Sequence, residues 1–321
     1  MAMKSMYLFV FQLFLCSTQG WRVVNKLLLR DYENNHLPTP LNISSKASEE
    51  NGAVDTFDHY LPMLDETAKL RETVAKAEEN LKAHYFEGDI ILTPRQQKVL
   101  HNAFKYAHKR SDAENRALIK DVSRLWPDGK VPYAYASDID SEGKSITKDA
   151  MEHWMQHTCV KFIPQTNETD FVEFQFADAC ASRVGRLGMG RQEILIGSVE
   201  AKCKVGNLIH EIGHTLGFFH EHSRPDRDQF VKVNLDLVMQ GFEINFKKLP
   251  GDWIDSRDVA YDYDSIMHYP RTIFGKMPWD QTVVPLDARA QIGQRIKLSD
   301  SDILQAKKLY NCPGYEQNIQ T

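Results

Sequence analysis

Long apolar runs are scarce in this 321-residue chain. The one at its start, Tyr7 to Cys16, has ten residues, about half of the roughly 20 that a membrane-crossing helix needs. No later stretch is long and apolar enough to anchor the chain. Charge of one sign is not concentrated either: 39 Lys plus Arg stand against 44 Asp plus Glu, for a net charge of −5. Without a basic stripe, nucleic acid and anionic membrane are excluded as main partners. Five cysteines in so long a chain do not make a disulfide-built miniprotein, and their spacing does not fit a zinc finger. Internal repeats and low-complexity tracts are missing, and the acidic pairs lack an arrangement suited to glycosidase chemistry. What remains is an ordinary globular composition, 42% hydrophobic and 26% charged. The length suits roughly two units, or one large domain with an appendage.

The N-terminus sets the compartment. Lys4, the apolar run, and then Ser17, Thr18 and Gly20 follow the pattern of a secretory signal peptide cut near Gly20. Its removal takes Cys16 with it and leaves Cys159, Cys180, Cys203 and Cys312, an even set in an oxidising compartment, with three pairings open. The sequons at Asn42 and Asn167 fit export.

Residues Trp21 to about Tyr60 are polar and without period. Leu64 to Phe86 carries Leu64, Ala68, Val74, Ala77 and Leu81 among Glu and Lys, which predicts an exposed helix ended by Gly88-Asp89. Thr93-Pro94 opens a second helix. After Arg116 the character changes. Val131 to Ala136, Cys159 to Ile163, Phe171 to Phe176 and Glu193 to Ile196 read as strands. Thr147 to His157 reads as a helix with a Thr cap, and Ser299 with Asp302 as the capping box of a helix through Leu309. Strands interspersed with helices predict an α/β or α+β domain.

The chemistry lies in Lys204 to Asp228, which contains His210-Glu211-x-x-His214. On a helix, residues i and i+4 share a face, so both imidazoles can reach one cation. Val205, Leu208, Ile209, Ile212 and Leu216 form the apolar stripe of a buried helix. Glu211, one step around, is placed to polarise a water without ligating. Gly217 suits a left-handed C-terminal cap, after which the chain turns back and His220 can supply a third nitrogen. Three neutral imidazoles and one open position make a catalytic zinc site. A lone His-Glu-x-x-His could also be a salt-bridged helix surface, the lesser of the two readings; Gly217 and His220 at these offsets favour the zinc reading further. Gly213 inside the helix implies tight packing against it. His153 and His157 also stand at i, i+4 but have no third ligand, so they read as a solvated face.

These residues resemble the metzincin endopeptidases, whose extended zinc motif is His210-Glu211-x-x-His214-x-x-Gly217-x-x-His220. Phe218, Glu221, Arg224, Asp226, Arg227 and Asp228, with Ser265-Ile266-Met267-His268-Tyr269 downstream, are similar to the astacin branch. The resemblance runs from about Phe86 to Cys312. It implies an α+β zincin-like domain with a mixed twisted sheet, two main helices and a largely irregular C-terminal part. It further implies one Zn²⁺ held by His210, His214 and His220, with Tyr269 as a displaceable further ligand, Met267 as an apolar floor, and Glu211 as general base. The disulfides it implies are Cys159–Cys312 and Cys180–Cys203. Phe86-Glu87-Gly88-Asp89 resembles the propeptide motif in which an aspartate, here Asp89, blocks the zinc. Leu125-Trp126 then places the mature N-terminus near Ala117, after Arg116, a bond that a trypsin-like protease would cut, and the family buries that terminus near Glu221. A basic residue before the zinc helix, Lys202 or Lys204, favours an acidic residue after the scissile bond in some relatives; two solvated lysines are the plainer reading.

The expected organisation is a signal peptide (1–20), a propeptide (21–116), a catalytic domain (117–314) and a short tail (315–321), with no further module. The expected protein is a secreted monomeric endopeptidase, extracellular or stored in secretory granules. It acts on extended polypeptides that pair with an edge strand near Arg183 to Ile196. The rival is a secreted binding protein, catalytically weak or inactive, on the same scaffold; an intact Glu211 argues against it.

Overall fold

The computed structural model describes residues 85–106, 118–119, 121–250 and 253–314. The leader, Asn42, residues 64–84 of the helix expected from Leu64 to Phe86, and the Arg116–Ala117 junction lie outside the described residues; Phe86, the expected helix end, is instead bridged to Ile90.

Helix α1, Pro94–Tyr106, starts where Thr93-Pro94 predicts. The Thr93 Oγ1 accepts the Gln96 N–H (3.2 Å) while Gln96 Oε1 accepts the Thr93 N–H (2.7 Å), a reciprocal cap on two donors that the first turn cannot satisfy. After strand β1 (Leu118–Ile119) come β2 (Lys130–Tyr135), β3 (Lys161–Pro164), β4 (Phe171–Gln175), β5 (Cys180–Ser182) and β6 (Arg191–Ile196). The last five form one sheet in the order β3-β2-β4-β6-β5. Its first four strands are mutually parallel and β5 runs antiparallel to β6. The edge beside the zinc motif is therefore β5. The expectation of an edge across Arg183 to Ile196 needs this correction, because β6 is paired on both sides.

Helix α2 spans Ser141–His157, beginning earlier than the Thr147 cap expected from the sequence. Asp140 is the true cap, its carboxylate accepting the Gly143 N–H at 2.7 Å. Thr147 is instead buried mid-helix and turns its hydroxyl back to the Gly143 carbonyl (2.9 Å). The first turn of α2 has no apolar periodicity, so the cap alone marks its start. Lys202, pinned between Asp140 and Glu142 at 3.0 Å each, fastens that turn to the loop before the next helix. Its side chain is only 12% exposed, so it is not a solvated lysine offered to substrate.

Helix α3 (Val205–Leu216) carries the zinc motif, and α4 (Asp300–Leu309) closes the fold. Between them the chain is largely irregular, with three short strands: β7 (Val231–Val233), β8 (Ile254–Asp255) paired to β1, and β9 (Val283–Pro285) paired to β7. This mixed sheet with its helices is the expected α+β fold. Val131, Phe162, Val172, Phe174, Ile194 and Ile196 of the sheet pack against Met151 and Trp154 of α2 and Leu208, Ile209, Ile212 and Leu216 of α3. Cys159–Cys312 joins the segment after α2 to the segment after α4 across 153 residues, and Cys180–Cys203 ties β5 to the approach of α3. Both pairings are those implied by the resemblance. In a chain-entropy picture the longer loop contributes about 5 kcal/mol. Among the described residues no helix is long and apolar enough to cross a membrane.

The C-terminus of α3 is held with unusual completeness. Gly217 takes the left-handed conformation (φ 110°), and the Phe218 N–H returns to the Gly213 carbonyl at 3.0 Å. The His214 carbonyl accepts from Gly217 and Gly185 (2.8 and 2.9 Å), the Thr215 carbonyl from the Trp126 indole (2.9 Å), and the Leu216 carbonyl from the Tyr310 hydroxyl (2.9 Å). Orphan carbonyls that usually face water are thus satisfied by distant parts of the fold. Gly213 is there because of Met267: a Cβ at position 213 would lie 2.7 Å from the Met267 sulfur. Gly213→Ala should therefore destabilise the protein by about 1–3 kcal/mol in urea unfolding, because overpacking outweighs the gain in helix propensity. A stabilised variant would show that the Met267 side chain yields freely.

Candidate metal centre and active site

Helical spacing puts the His210 and His214 rings on one face of α3, with centroids 4.7 Å apart. The turn at Gly217 then returns His220 to them, 5.1 Å from His210 and 4.7 Å from His214. All three are essentially without solvent exposure. Each ring is oriented through Nδ1: His210 to the Ile266 carbonyl (2.8 Å), His214 to the Phe218 carbonyl (2.8 Å), and His220 to Glu87 Oε2 (2.7 Å). Carbonyls only accept, so the first two rings carry their proton on Nδ1 and present bare Nε2 lone pairs. Those lone pairs converge on each other and on the Asp89 carboxylate.

The separations are those of a coordination shell. His210 Nε2 and His220 Nε2 are 3.2 Å apart, each is 3.2 Å from Asp89 Oδ2, and His214 Nε2 is 3.4 Å from Asp89 Oδ1. A tetrahedral zinc centre with ligand distances of about 2.0–2.1 Å puts its ligand atoms about 3.3 Å apart. His214 Nε2 and Asp89 Oδ1 are buried without a hydrogen-bond partner. Asp89, His210, His214 and His220 make up the described residues' cluster able to hold a metal ion, and its three nitrogens and one oxygen suit zinc.

The protein's own electrostatics make the same demand. Burial pushes His210 and His214 below the usual histidine range. Burial also acts to lower His220, but the carboxylates of Asp89 and Glu87 overcome it and hold that ring near 9. Glu211, 2% exposed, lies on α3 beside the cluster, and its backbone carbonyl accepts the Ser182 hydroxyl (2.7 Å). Burial, and then the Asp89 charge, pushes its carboxyl well above the carboxylate range.

Met267 is buried in the core against Gly213 of the same helix that carries His210 and His214. Its turn is fastened by Asp302, which accepts from the Ser265 hydroxyl (2.6 Å) and the Ile266 N–H (2.9 Å) while closing the α4 capping box with Ser299. The capping box was legible in the sequence; that its carboxylate also reaches the turn supplying the carbonyl for His210 was not. The Tyr269 hydroxyl donates to the Glu87 carbonyl at 2.6 Å, and its ring stacks on His222, 3.6 Å between centroids. Sequence reasoning gave neither His222 nor Glu87 a role: no spacing rule singles out His222, and Glu87 is silent inside the motif that names Asp89. Glu221 is buried, bound to Arg224 (3.0 Å) and the Asp262 N–H (2.9 Å), and burial outweighs Arg224 to hold it near 8. Its expected partner, Ala117, is outside the described residues. His153 spends a ring nitrogen on the Leu298 N–H (3.1 Å) and, with His157, stays outside any metal cluster of the described residues. Asn167 is exposed on a loop.

The 85–91 segment closes the site. Phe86 and Ile90 pair across a tight turn that aims Asp89 at the histidines. The Asp89 carbonyl accepts the Ser182 N–H (2.9 Å) and the Ile91 N–H donates to the Ser182 carbonyl (2.8 Å), so this segment lies along the free edge of β5.

Residues 118–311 match the family model "Astacin", which describes a family of peptidases. The chain belongs to the astacin family. It is 42% identical over 227 residues to Nematocyst expressed protein 6 of Nematostella vectensis, covering 70% of this chain and 76% of that one. Tolloid-like protein 2 of Homo sapiens is 42% identical over 211 residues, which are 64% of this chain but 20% of the longer relative. Among solved structures, high choriolytic enzyme 1, a hatching enzyme zinc-protease from Oryzias latipes, superposes with a TM-score of 0.57 at 32% identity, over 62% of this chain and 100% of that one. Membership makes the protein a zinc metalloendopeptidase, and its histidine cluster is built to hold the metal of that family.

Asp302 links the Ser265–Ile266 turn to α4, so Asp302→Ala should leave the buried Ile266 N–H and the half-buried Ser299 N–H unpartnered. A loss of about 2–4 kcal/mol in chemical denaturation is expected. A loss below that range would mean that solvent reaches these donors.

Proposed function

We propose that the protein is a secreted endopeptidase made as an inactive precursor. Residues 1–20 direct export, 21–116 inhibit, and 117–314 catalyse. The observation that carries this reading is the approach of one carboxylate, Asp89, to all three histidines at 3.2–3.4 Å. An acidic side chain at that vertex leaves no room for water or substrate.

His210, His214 and His220 would hold zinc, which when bound would supply Lewis acidity toward the scissile carbonyl and the attacking water. Burial is the larger cause of the raised Glu211 carboxyl and the Asp89 charge the second; departure of Asp89 removes the second and opens the site to water, and Glu211 then serves as general base. It takes the proton of the attacking water and delivers it to the leaving amine. Tyr269, freed from the Glu87 carbonyl, turns its hydroxyl to the developing oxyanion. The substrate lies extended along β5, on the edge that the 89–91 segment covers before activation. Backbone pairing there aligns a peptide without demanding particular side chains.

Activation is a cut after Arg116 by a trypsin-like protease. The cut turns an intramolecular inhibitor into a separate one, which loses its effective concentration and dissociates. It also frees the Ala117 ammonium to pair with Glu221, a buried carboxylate whose charge Arg224 already partly supports.

Glu211→Ala should retain zinc but lower turnover by about 100- to 10,000-fold, because the ligands stay while the proton carrier is lost. Near-normal hydrolysis of casein by the processed variant would overturn the mechanism. For latency, Asp89→Ala should give a precursor that leaks activity or matures early, and Arg116→Gln one that stays uncut. A latent Asp89→Ala chain with normal maturation kinetics would show that Asp89 is not the switch.

A further inference from the structure

The three zinc-facing imidazoles are not oriented alike. His210 and His214 lean on backbone carbonyls of the catalytic region itself, Ile266 and Phe218. His220 leans on a side chain from the other side of the Arg116 junction: its Nδ1 is 2.7 Å from Glu87 Oε2, and both side chains have no solvent exposure. Glu87 is also firmly placed. Its N–H donates to Asn245 Oδ1 at 3.0 Å and its carbonyl accepts the Tyr269 hydroxyl at 2.6 Å. It adopts φ 52°, a conformation that non-glycine residues hold only when the surroundings impose it. Gly88 follows at φ 84°, where a Cβ would meet the Phe274 ring at 2.7 Å.

A carboxylate on the far nitrogen of a metal-bound imidazole fixes the ring and raises the basicity of the nitrogen facing the metal. It also brings negative charge close to a buried dication, which neutral carbonyls do not. The 85–91 segment therefore contributes two anions to the centre: Asp89 at the ligand position and Glu87 behind the third ligand.

We propose that Glu87 is a positioning residue for His220 and makes the prosegment a metal-retaining device, so that the precursor binds zinc more tightly than the processed enzyme. The metal is then loaded and held before cleavage. The cut that opens the site also withdraws the carboxylate supporting His220. The proposal rests on the precursor reading above, and it concerns Glu87 rather than the blocking aspartate.

The test measures zinc affinity by competition with a chelator of known strength, with every chain in a Glu211→Ala background so that none processes itself. In the full-length precursor, Asp89→Ala removes the direct ligand and isolates Glu87. That chain should still bind zinc about 10- to 100-fold more tightly than the trypsin-processed protein, the range expected for loss of such an outer partner. Adding Glu87→Ala should abolish the difference. Adding Glu87→Gln, which keeps an acceptor of the same shape but not the charge, should leave an intermediate affinity, and this variant carries the test if the alanine chain does not accumulate. Processed protein cut from the Glu87→Ala precursor should match processed protein cut from the unsubstituted one, a result that damage to the fold would not give. Equal zinc affinity with and without the Glu87 carboxylate would overturn the inference. The latency of Asp89→Ala, read separately by activity, decides the precursor reading on its own.

Discussion

Three imidazole nitrogens that each face one carboxylate at 3.2–3.4 Å, two of them 3.2 Å from each other, repel it and one another unless something positive lies among them. Much of the structure follows from holding them in that unfavourable arrangement. Only a rigid frame can do so, and α3 provides one because it is anchored along its length and at its end. Its last carbonyls are taken up by Gly185, Trp126 and Tyr310, from regions far apart in the chain. Its Ile209 carbonyl also accepts the Trp154 indole of α2 at 2.9 Å. Without these anchors the helix could rotate, and the convergent lone pairs would separate toward water.

The same frame explains why the irregular C-terminal part is not loose. Asp302 joins the start of α4 to the Ser265–Ile266 turn, and Ile266 in turn orients His210. The Glu221 N–H returns to the Met267 carbonyl at 3.1 Å, which locks the segment after His220 against that turn. Arg224, with no exposure, grips both oxygens of Asp226 at 2.9 Å and one of Glu221 at 3.0 Å. Burying so many charges is tolerable only because each is paired. A region poor in helix and strand thus acquires rigidity from directed polar contacts rather than from ladders.

The 85–91 turn uses this rigid site against itself. One short hairpin places a carboxylate among the histidines, a second behind His220, a carbonyl on Tyr269 and an extended segment along β5. Each contact takes a group that the proposed reaction needs. Phe86, Ile90, Leu92 and Leu100 fill an apolar cluster with Val184, Phe219, Leu249 and Ile254 of the region after residue 117, so the segment that carries Asp89 is held by burial as well as by charge.

The zinc histidines, the Gly217 turn, the tight fit at Gly213 and the Ser299–Asp302 cap were legible from local spacing, because each is dictated within a turn or two of helix. The pairing of four cysteines and the expectation that Asp89 meets the histidines came from resemblance rather than from spacing, since a sequence alone does not say which distant residues meet. The start of α2 was misplaced at Thr147 because its capped first turn carries no apolar period. Lys202 looked solvated because Asp140 and Glu142, which hold it, lie far away in the chain. What the sequence by itself determined is the helix that carries two ligands and the turn that returns a third. Only the tertiary structure decided which groups hold the His210 and His220 Nδ1 atoms, which strand is the free edge, and that Glu87 stands behind His220. Those two ring contacts join residues separated by 56 and 133 positions, and no periodic pattern encodes a meeting at that distance.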